Sequence, residues 1–192
     1  MTEPADFDVV IVGGGLVGAS LAAALADTPL RVAIVEPQLP PQSAKFSDGG
    51  WDSRIYAVSP ASAAFLEAVG AWPAIDCDRI TPVRRMEIHG DRDGSLAFSA
   101  YEAGVGELAF IVESRAMHAA LWKRLEHQAN LQLLCPAECA ALARIGAGER
   151  DWALTLADGR ALRVRLVVGA DGRASWVRKA AGIDAPLAPY HQ

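Results

Sequence analysis

The residues whose spacing prescribes chemistry lie near the N-terminus. Gly13, Gly15 and Gly18 stand in the pattern Gly-x-Gly-x-x-Gly, and Glu36 follows 36 − 18 = 18 positions after the last of them. In such a pattern Gly13 permits a tight turn, Gly15 lets the backbone come close to a pyrophosphate, and Gly18 lets a helix pack against the preceding strand. Leu16 and Val17 open that helix, where unpaired amides and the helix dipole favour phosphate oxygens. A carboxylate at Glu36 can accept both ribose hydroxyls of an adenosine, and it repels a 2′-phosphate, which disfavours NADP in this site. The chemistry implied is the grip on a dinucleotide. The pattern does not separate FAD from NAD, and a glycine turn that merely packs is the plainer alternative.

The elements needed to position these residues are legible around them. Phe7–Val12, FDVVIV, is short, β-branched and nearly all apolar, the signature of a strand buried on both faces. Leu16–Ala26 is rich in Ala and Leu and predicts a helix. Leu30–Val35, LRVAIV, predicts a second strand ending at Glu36. Strand, glycine turn, helix and strand make a βαβ unit with a right-handed crossover. Residues 9–26 carry no charge and are long enough to suggest a membrane span or signal peptide. Asp6 and Asp8 stand where a signal peptide needs positive charge, and Gly13–Gly15 break the run, so neither is expected.

Further along, residues 37–53 read as a loop rich in Pro, Ser, Gly and Asp. Ser59–Gly70 predicts a helix with a Ser cap, Pro in its first turn and Gly at its end. Met86–His89 and Leu96–Ser99 flank a Gly90–Gly94 turn and predict a hairpin. Ser114–Gln128 places Met117, Leu121 and Leu125 on one helical face. Leu131–Leu134 predicts a strand. Ala140–Ile145, Trp152–Leu156 and Ala161–Val168 predict a meander that runs into a second glycine turn, Gly169–Gly172, and a helix over Ser175–Ala181.

Composition narrows the classes. Of 192 residues, 52% are apolar and 21% charged, which is globular and not disordered. A net charge of −5 without a basic run argues against nucleic acid. Cys77, Cys135 and Cys139 form no CxxC pair, so no disulfide framework or zinc spacing is read, and they are expected as free core thiols of a reducing cytoplasm. His89, His118, His127 and His191 are scattered, giving neither a triad nor a metal site. Trp51, Trp72, Trp122, Trp152 and Trp176 are read as packing residues.

Three motifs together resemble the FAD-dependent aromatic hydroxylases, the single-component flavoprotein monooxygenases, and within them the ubiquinone-biosynthesis hydroxylases. They are GGGLVGASLAAALA with Glu36, DSRIYAVSPASAAFLEAVGAW over 52–72, and VVGADGRASWVRKAAGI over 167–183. The resemblance implies an α/β fold: a Rossmann-like FAD-binding βαβ domain with a β-meander and an inserted hairpin lobe. Residues 1–192 would be the N-terminal part of that domain, with 82–111 on the substrate side. It implies that Arg54 and Arg115 approach the cofactor, that Asp171 and Gly172 lie near the pyrophosphate, and that Arg178 supports their loop. Each has a plainer reading: Arg54 as a solvated loop charge, Arg115 as an ordinary first-turn residue, Asp171 as a helix cap.

The resemblance further implies FAD as cofactor, NAD(P)H as transient reductant, molecular oxygen, and an aromatic substrate, a polyprenylated phenol or quinol. No catalytic side chain is required in this chain. The location implied is cytoplasmic, with peripheral contact at the inner membrane and a biosynthetic complex as partner. Members of the family are considerably longer and carry a Gly-Asp followed by Ala and His, which is absent here. The expectation is therefore a portion of the family fold that alone binds FAD weakly or not at all and does not turn over. Two alternatives stay open: another FAD oxidoreductase of this architecture (a geranylgeranyl reductase or a soluble-phenol hydroxylase), and a non-catalytic piece acting within a complex.

Overall fold

The apolar run at the N-terminus becomes a central strand because both of its faces find cover. In the computed structural model, which describes residues 4–40, 50–91, 94–145 and 151–186, the strands are β1 (Phe7–Val12), β2 (Val32–Val35), β3 (Ile55–Val58), β4 (Ile80–Val83), β5 (Arg85–His89), β6 (Ser95–Ser99), β7 (Ala109–Glu113), β8 (Leu131–Leu134), β9 (Cys139–Ile145), β10 (Asp151–Leu156) and β11 (Ala161–Gly169). The helices are α1 (Leu16–Ala24), α2 (Pro60–Ala68), α3 (Ser114–Leu125) and α4 (Trp176–Ala180). The chain divides into two units, Met1–Pro40 with His127–Gln192, and Pro41–Glu126.

The first unit is built on a six-stranded sheet in the order β8-β2-β1-β11-β10-β9. β8, β2, β1 and β11 run parallel, and β10 and β9 continue the sheet antiparallel. The meander is thus one with the dinucleotide-type sheet, because β11 pairs with β1 from Phe7↔Val164 to Val12↔Gly169. Alternation along the strands sorts the core into two layers. Val10, Val12, Ala33, Val35, Leu154, Leu156 and Val164 pack on one face with Val177 of α4. Val9, Ile11, Val32 and Ile34, all buried, point the other way, where α1 buries Gly18, Ala19, Ala22 and Ala23. The small residues of α1 bring its axis close to the sheet.

The helix ends earlier than the sequence suggests, at Ala24 rather than Ala26. Pro29 keeps the helix from running on, and side chains from far along the chain take up carbonyls at and past its end. The Asn130 Nδ2 group donates to the carbonyls of Leu25 (2.9 Å), Thr28 (3.1 Å) and Leu30 (3.0 Å). The Gln128 Nε2 group donates to the carbonyl of Ala22 at 2.9 Å. Of these carbonyls only that of Ala22 would have served a further turn of helix, and the others lie past the helix end. β2 likewise starts two residues late, at Val32, since Arg31 is held outside the ladder by Asp8.

The second unit holds a three-stranded antiparallel sheet, β3-β7-β4, and the two-stranded β5–β6 hairpin. The hairpin matches its sequence pattern, although residues 92–93 of its turn lie outside the described set, as do 41–49 of the preceding loop. The three-stranded sheet has no counterpart among the sequence expectations. α2 begins behind Ser59, whose side chain accepts the Ser62 N–H, and the chain turns at Gly70 with φ +76°. α3 buries Met117, Leu121 and Leu125, the predicted stripe, and stops at Leu125 rather than Gln128. Gln128 instead serves the first unit. α4 is five residues long, shorter than the 175–181 prediction. None of the described helices is long and apolar enough to cross a membrane.

The cysteine expectation needs one correction. All three are free, but Cys77 is exposed and Cys135 and Cys139 are only half-buried, so none is a fully buried core thiol. Cys77 opens a single surface 3₁₀ turn, which offers no interior to enter.

Candidate functional site

The cleft of the first unit opens at the C-terminal end of β1, where two glycine turns meet. It has a volume of about 550 Å³ and is lined by Gly13, Gly15, Glu36, Ala170, Asp171 and Gly172 among others. The two turns touch through backbone. Gly13 has φ +105°, and a Cβ there would lie 2.5 Å from the Ala170 carbonyl oxygen. Only glycine satisfies both that dihedral and that approach. A Cβ on Gly18 would overlap the Gly13 carbonyl oxygen, so its absence sets the distance between α1 and the turn.

Gly15 differs from both. Its φ is −66°, open to any residue, and a Cβ there meets nothing within 4 Å among the described residues. No side chain caps α1, and no acid sits in its first turn. Val17 is 74% exposed, and neither Leu16 nor Val17 is among the residues that line the cleft. Glu36 closes the cleft as the sequence spacing requires. Its Oε2 accepts the Gly14 N–H at 2.6 Å and its Oε1 the Gln38 N–H at 3.0 Å. The carboxylate is thereby held at the mouth of the crossover.

Asp171 lines the same cleft, but its oxygens are turned to α4. Oδ1 accepts the Ser175 hydroxyl at 2.6 Å, and Oδ2 accepts the N–H of Trp176 (2.6 Å) and of Val177 (3.0 Å). Burial pushes its pKa upward, but the Ser175, Val177 and Trp176 hydrogen bonds outweigh that and leave it below the ordinary aspartate value. The side chain therefore acts as the cap, and Gly172, with φ +79°, turns the backbone beside it. The Arg178 N–H donates to Ser175 Oγ at 3.0 Å, the cap bond of α4, which uses the backbone and not the arginine side chain. Burial pushes the Cys139 thiol, also at the cleft wall, up to about 11, so it stays protonated at neutral pH.

Arg54 and Arg115 lie in the second unit, and the fold brings them together. With Asp52, Ser53, Ser114 and His118 they line a polar cleft of about 300 Å³. Both arginines are exposed. The Arg54 amide, first among the causes, holds the Asp52 carboxyl below its usual value, and the Arg115 amide and both guanidinium charges act in the same direction.

The first unit thus presents glycine turns, a helix start without a side-chain cap and a fixed acid in the arrangement that a dinucleotide needs. The model of the FAD binding domain matches residues 6–188. The chain belongs to the FAD-binding domain family.

This FAD-binding domain is 35% identical over 186 residues to the 3-demethoxyubiquinol 3-hydroxylase of Escherichia coli (strain K12), covering 96% of this chain and 46% of that protein. It is 36% identical to the ubiquinone hydroxylase UbiL of Rhodospirillum rubrum, covering 96% and 42% respectively. Among solved structures, pqsL, a probable FAD-dependent monooxygenase from Pseudomonas aeruginosa, superposes with a TM-score of 0.72 at 28% identity over 96% of this chain and 48% of that one. The p-nitrophenol 4-monooxygenase of Pseudomonas putida shares the fold, with a TM-score of 0.71 at 20% identity. The chain spans less than half the length of the curated relatives it matches here.

Three residues of the FAD-binding domain, Asp52, Arg79 and Glu113, carry positions that the sequence alone does not mark. Glu113 is 2% exposed and pairs with Arg79 at 2.8 Å. It also accepts the Asp52 N–H at 3.0 Å. Nothing in the run AFIVES marks Glu113 as interior, and its only signal is a charge ending an apolar stretch just before a helix. Among the described residues one grouping of metal-type donors occurs, the exposed Asp76, Cys77 and Asp78, where Asp76 already caps its own turn.

Proposed function

We propose that this chain docks the ADP half of FAD in the cleft of its first unit and forms part of an enzyme that hydroxylates an aromatic ring. Gly15 carries the reading. Its glycine is required neither by its dihedral nor by any neighbour among the described residues, while the other two glycines of the pattern are required by backbone packed against them. A ligand backed against Gly15 supplies the missing reason.

In this reading the amides of Leu16 and Val17 face the pyrophosphate and Glu36 accepts the ribose hydroxyls. Asp171 shapes the adjoining turn by capping α4, and Gly172 keeps backbone close to the phosphates. Arg54 and Arg115 meet anionic or polar groups of the cofactor, for which a guanidinium fork is suited. Bound flavin supplies the oxygen activation, with NAD(P)H as electron source, so no side chain of this chain need act as nucleophile.

The substrate class proposed is a quinol or phenol ring with an isoprenoid tail, consistent with the 3-demethoxyubiquinol named for one relative. The β5–β6 hairpin, within the 82–111 segment, supports an apolar substrate side. Met86 opposes Phe98 and Ile88 opposes Leu96, and all four side chains are 39–53% exposed on one face. Such a substrate brings the enzyme to the inner membrane surface and into contact with other enzymes handling the same tail.

The test is a fluorescence titration of FAD, carried high enough to reach a weak site, into the wild-type chain and Gly15→Val, with ADP as competitor. Because position 15 has room, the variant should stay folded at a cost of about 1 kcal/mol. It should lose measurable FAD binding through clash with the pyrophosphate. Equal affinity in both proteins would refute the assignment.

A further inference from the structure

We propose that Asp52 is a positioning residue: its two carboxylate oxygens hold the backbones of Arg54 and Arg115, and so fix two arginines from distant parts of the chain around one anion-binding cleft. This rests on the reading of Arg54 and Arg115 as cofactor ligands, and adds the device that sets their spacing.

The hydrogen bonds form a chain with a buried end. Asp52 Oδ1 accepts the Arg54 N–H at 3.0 Å, and Oδ2 accepts the Arg115 N–H at 3.1 Å. Arg115 lies in the first turn of α3, whose N-cap residue, Glu113, makes no capping bond of its own. The cap is imported from Asp52. The Glu113 carboxylate is engaged elsewhere, with Oε2 accepting the Asp52 N–H and Oε1 paired with Arg79. Arg79 also donates to the Gly50 carbonyl at 3.3 Å and lies over the Trp51 ring at 4.3 Å. The segment 50–52 is thus gripped through its backbone, its ring and its carboxylate. A buried ion pair is costly to break once formed, which makes Glu113–Arg79 a stiff anchor.

Arg54 is held on its other side as well, since its carbonyl accepts the Ser114 N–H at 2.9 Å. Both arginine backbones are therefore fixed while their side chains line the cleft, beside Ser53, Ser114 and His118. The carboxylate between them is turned onto amides, so it sets the spacing of the two guanidinium groups through the main chain. Pre-organising donors in this way reduces the ordering that binding of a phosphate-type anion must impose.

The experiment follows backbone amide resonances of the full 192-residue chain during FAD titration, in wild type, Asp52→Asn, Arg54→Gln and Arg115→Gln. Asp52→Asn should shift both the Arg54 and the Arg115 amides and weaken FAD binding roughly tenfold, the worth of about one hydrogen bond's net contribution. If the arginine variants weaken binding and Asp52→Asn does not, the positioning role is overturned and the arginine reading stands. If neither arginine variant changes FAD affinity, the arginine reading fails and this proposal with it. A second readout needs no variant and no cofactor. On acidification of the wild type, the Arg54 and Arg115 amides must move together with one midpoint, and two separate midpoints, or no movement, would overturn the shared carboxylate.

Discussion

Gly13, Gly15 and Gly18 are identical residues kept for different reasons. Gly13 is required by its dihedral and by the Ala170 carbonyl, Gly18 by the Gly13 carbonyl, and Gly15 by nothing among the described residues. The consequences separate cleanly. Gly18→Ala should destabilise by roughly 3 kcal/mol or more, since a methyl there forces backbone against backbone. Gly15→Ala should cost no more than about 1 kcal/mol, the loss of a glycine N-cap. Urea unfolding of the two variants beside wild type measures the difference, and comparable losses would contradict it. The spacing of these glycines and of Glu36 is readable from sequence because local backbone geometry, which the residue type controls, decides it. The engagement of Asp171 is open in sequence between ligand contact and cap. Its three bonds to Ser175, Trp176 and Val177 decide for a cap, which local chemistry allows but cannot select.

Elements are legible where their pattern is local. β1, β8 and the meander fall within a residue or two of their sequence boundaries, since apolar runs and the Asp158-Gly159 turn mark them. The β3-β7-β4 sheet is not legible in this way. Ile55–Val58 is four residues beside a helix signal, Ile80–Val83 contains Pro82, and Ala109–Glu113 is a short apolar run that strand and helix share equally. Their pairing joins Ile55 to Glu113, and no local pattern reports such a partner. Pro82 is tolerated because β4 is an edge strand. The segment after α1 is likewise held from afar, by Asn130. Asn130→Ala should cost about 2–3 kcal/mol by removing the Asn130 bonds to the carbonyls of Thr28 and Leu30, while that of Leu25 keeps its bonds from Thr28. Thermal unfolding should show this loss, together with faster amide exchange at the end of α1. A wild-type melting temperature would mean that water replaces the side chain without penalty.

At the scale of the whole molecule, charge sets the response to acid. Asp8, held chiefly by the Arg31 amide, Asp52, Asp158 and Asp171 all titrate below the ordinary aspartate value. A carboxyl depressed on folding adds stability above its unfolded pKa, near 3.9, and loses it as pH falls through the folded value. Urea midpoints should therefore hold nearly constant from about pH 7 to about pH 5 and fall below about pH 4. Stability that rises between pH 5 and 3 would contradict the carboxylate assignments. The family match covers residues 6–188, and the chain spans less than half the length of its curated relatives, so the proposal that concerns this chain most directly is its grip on a nucleotide. Everything proposed here depends on that grip, and mapping ADP onto the backbone amides of the wild-type chain by NMR tests it most directly. Gly13, Gly15, Leu16, Val17 and Glu36 should move in one saturating process as ADP is added, with Gly172 following. Saturation that moves another surface and leaves Gly15 and Glu36 unperturbed, or no response at high ADP, would contradict it.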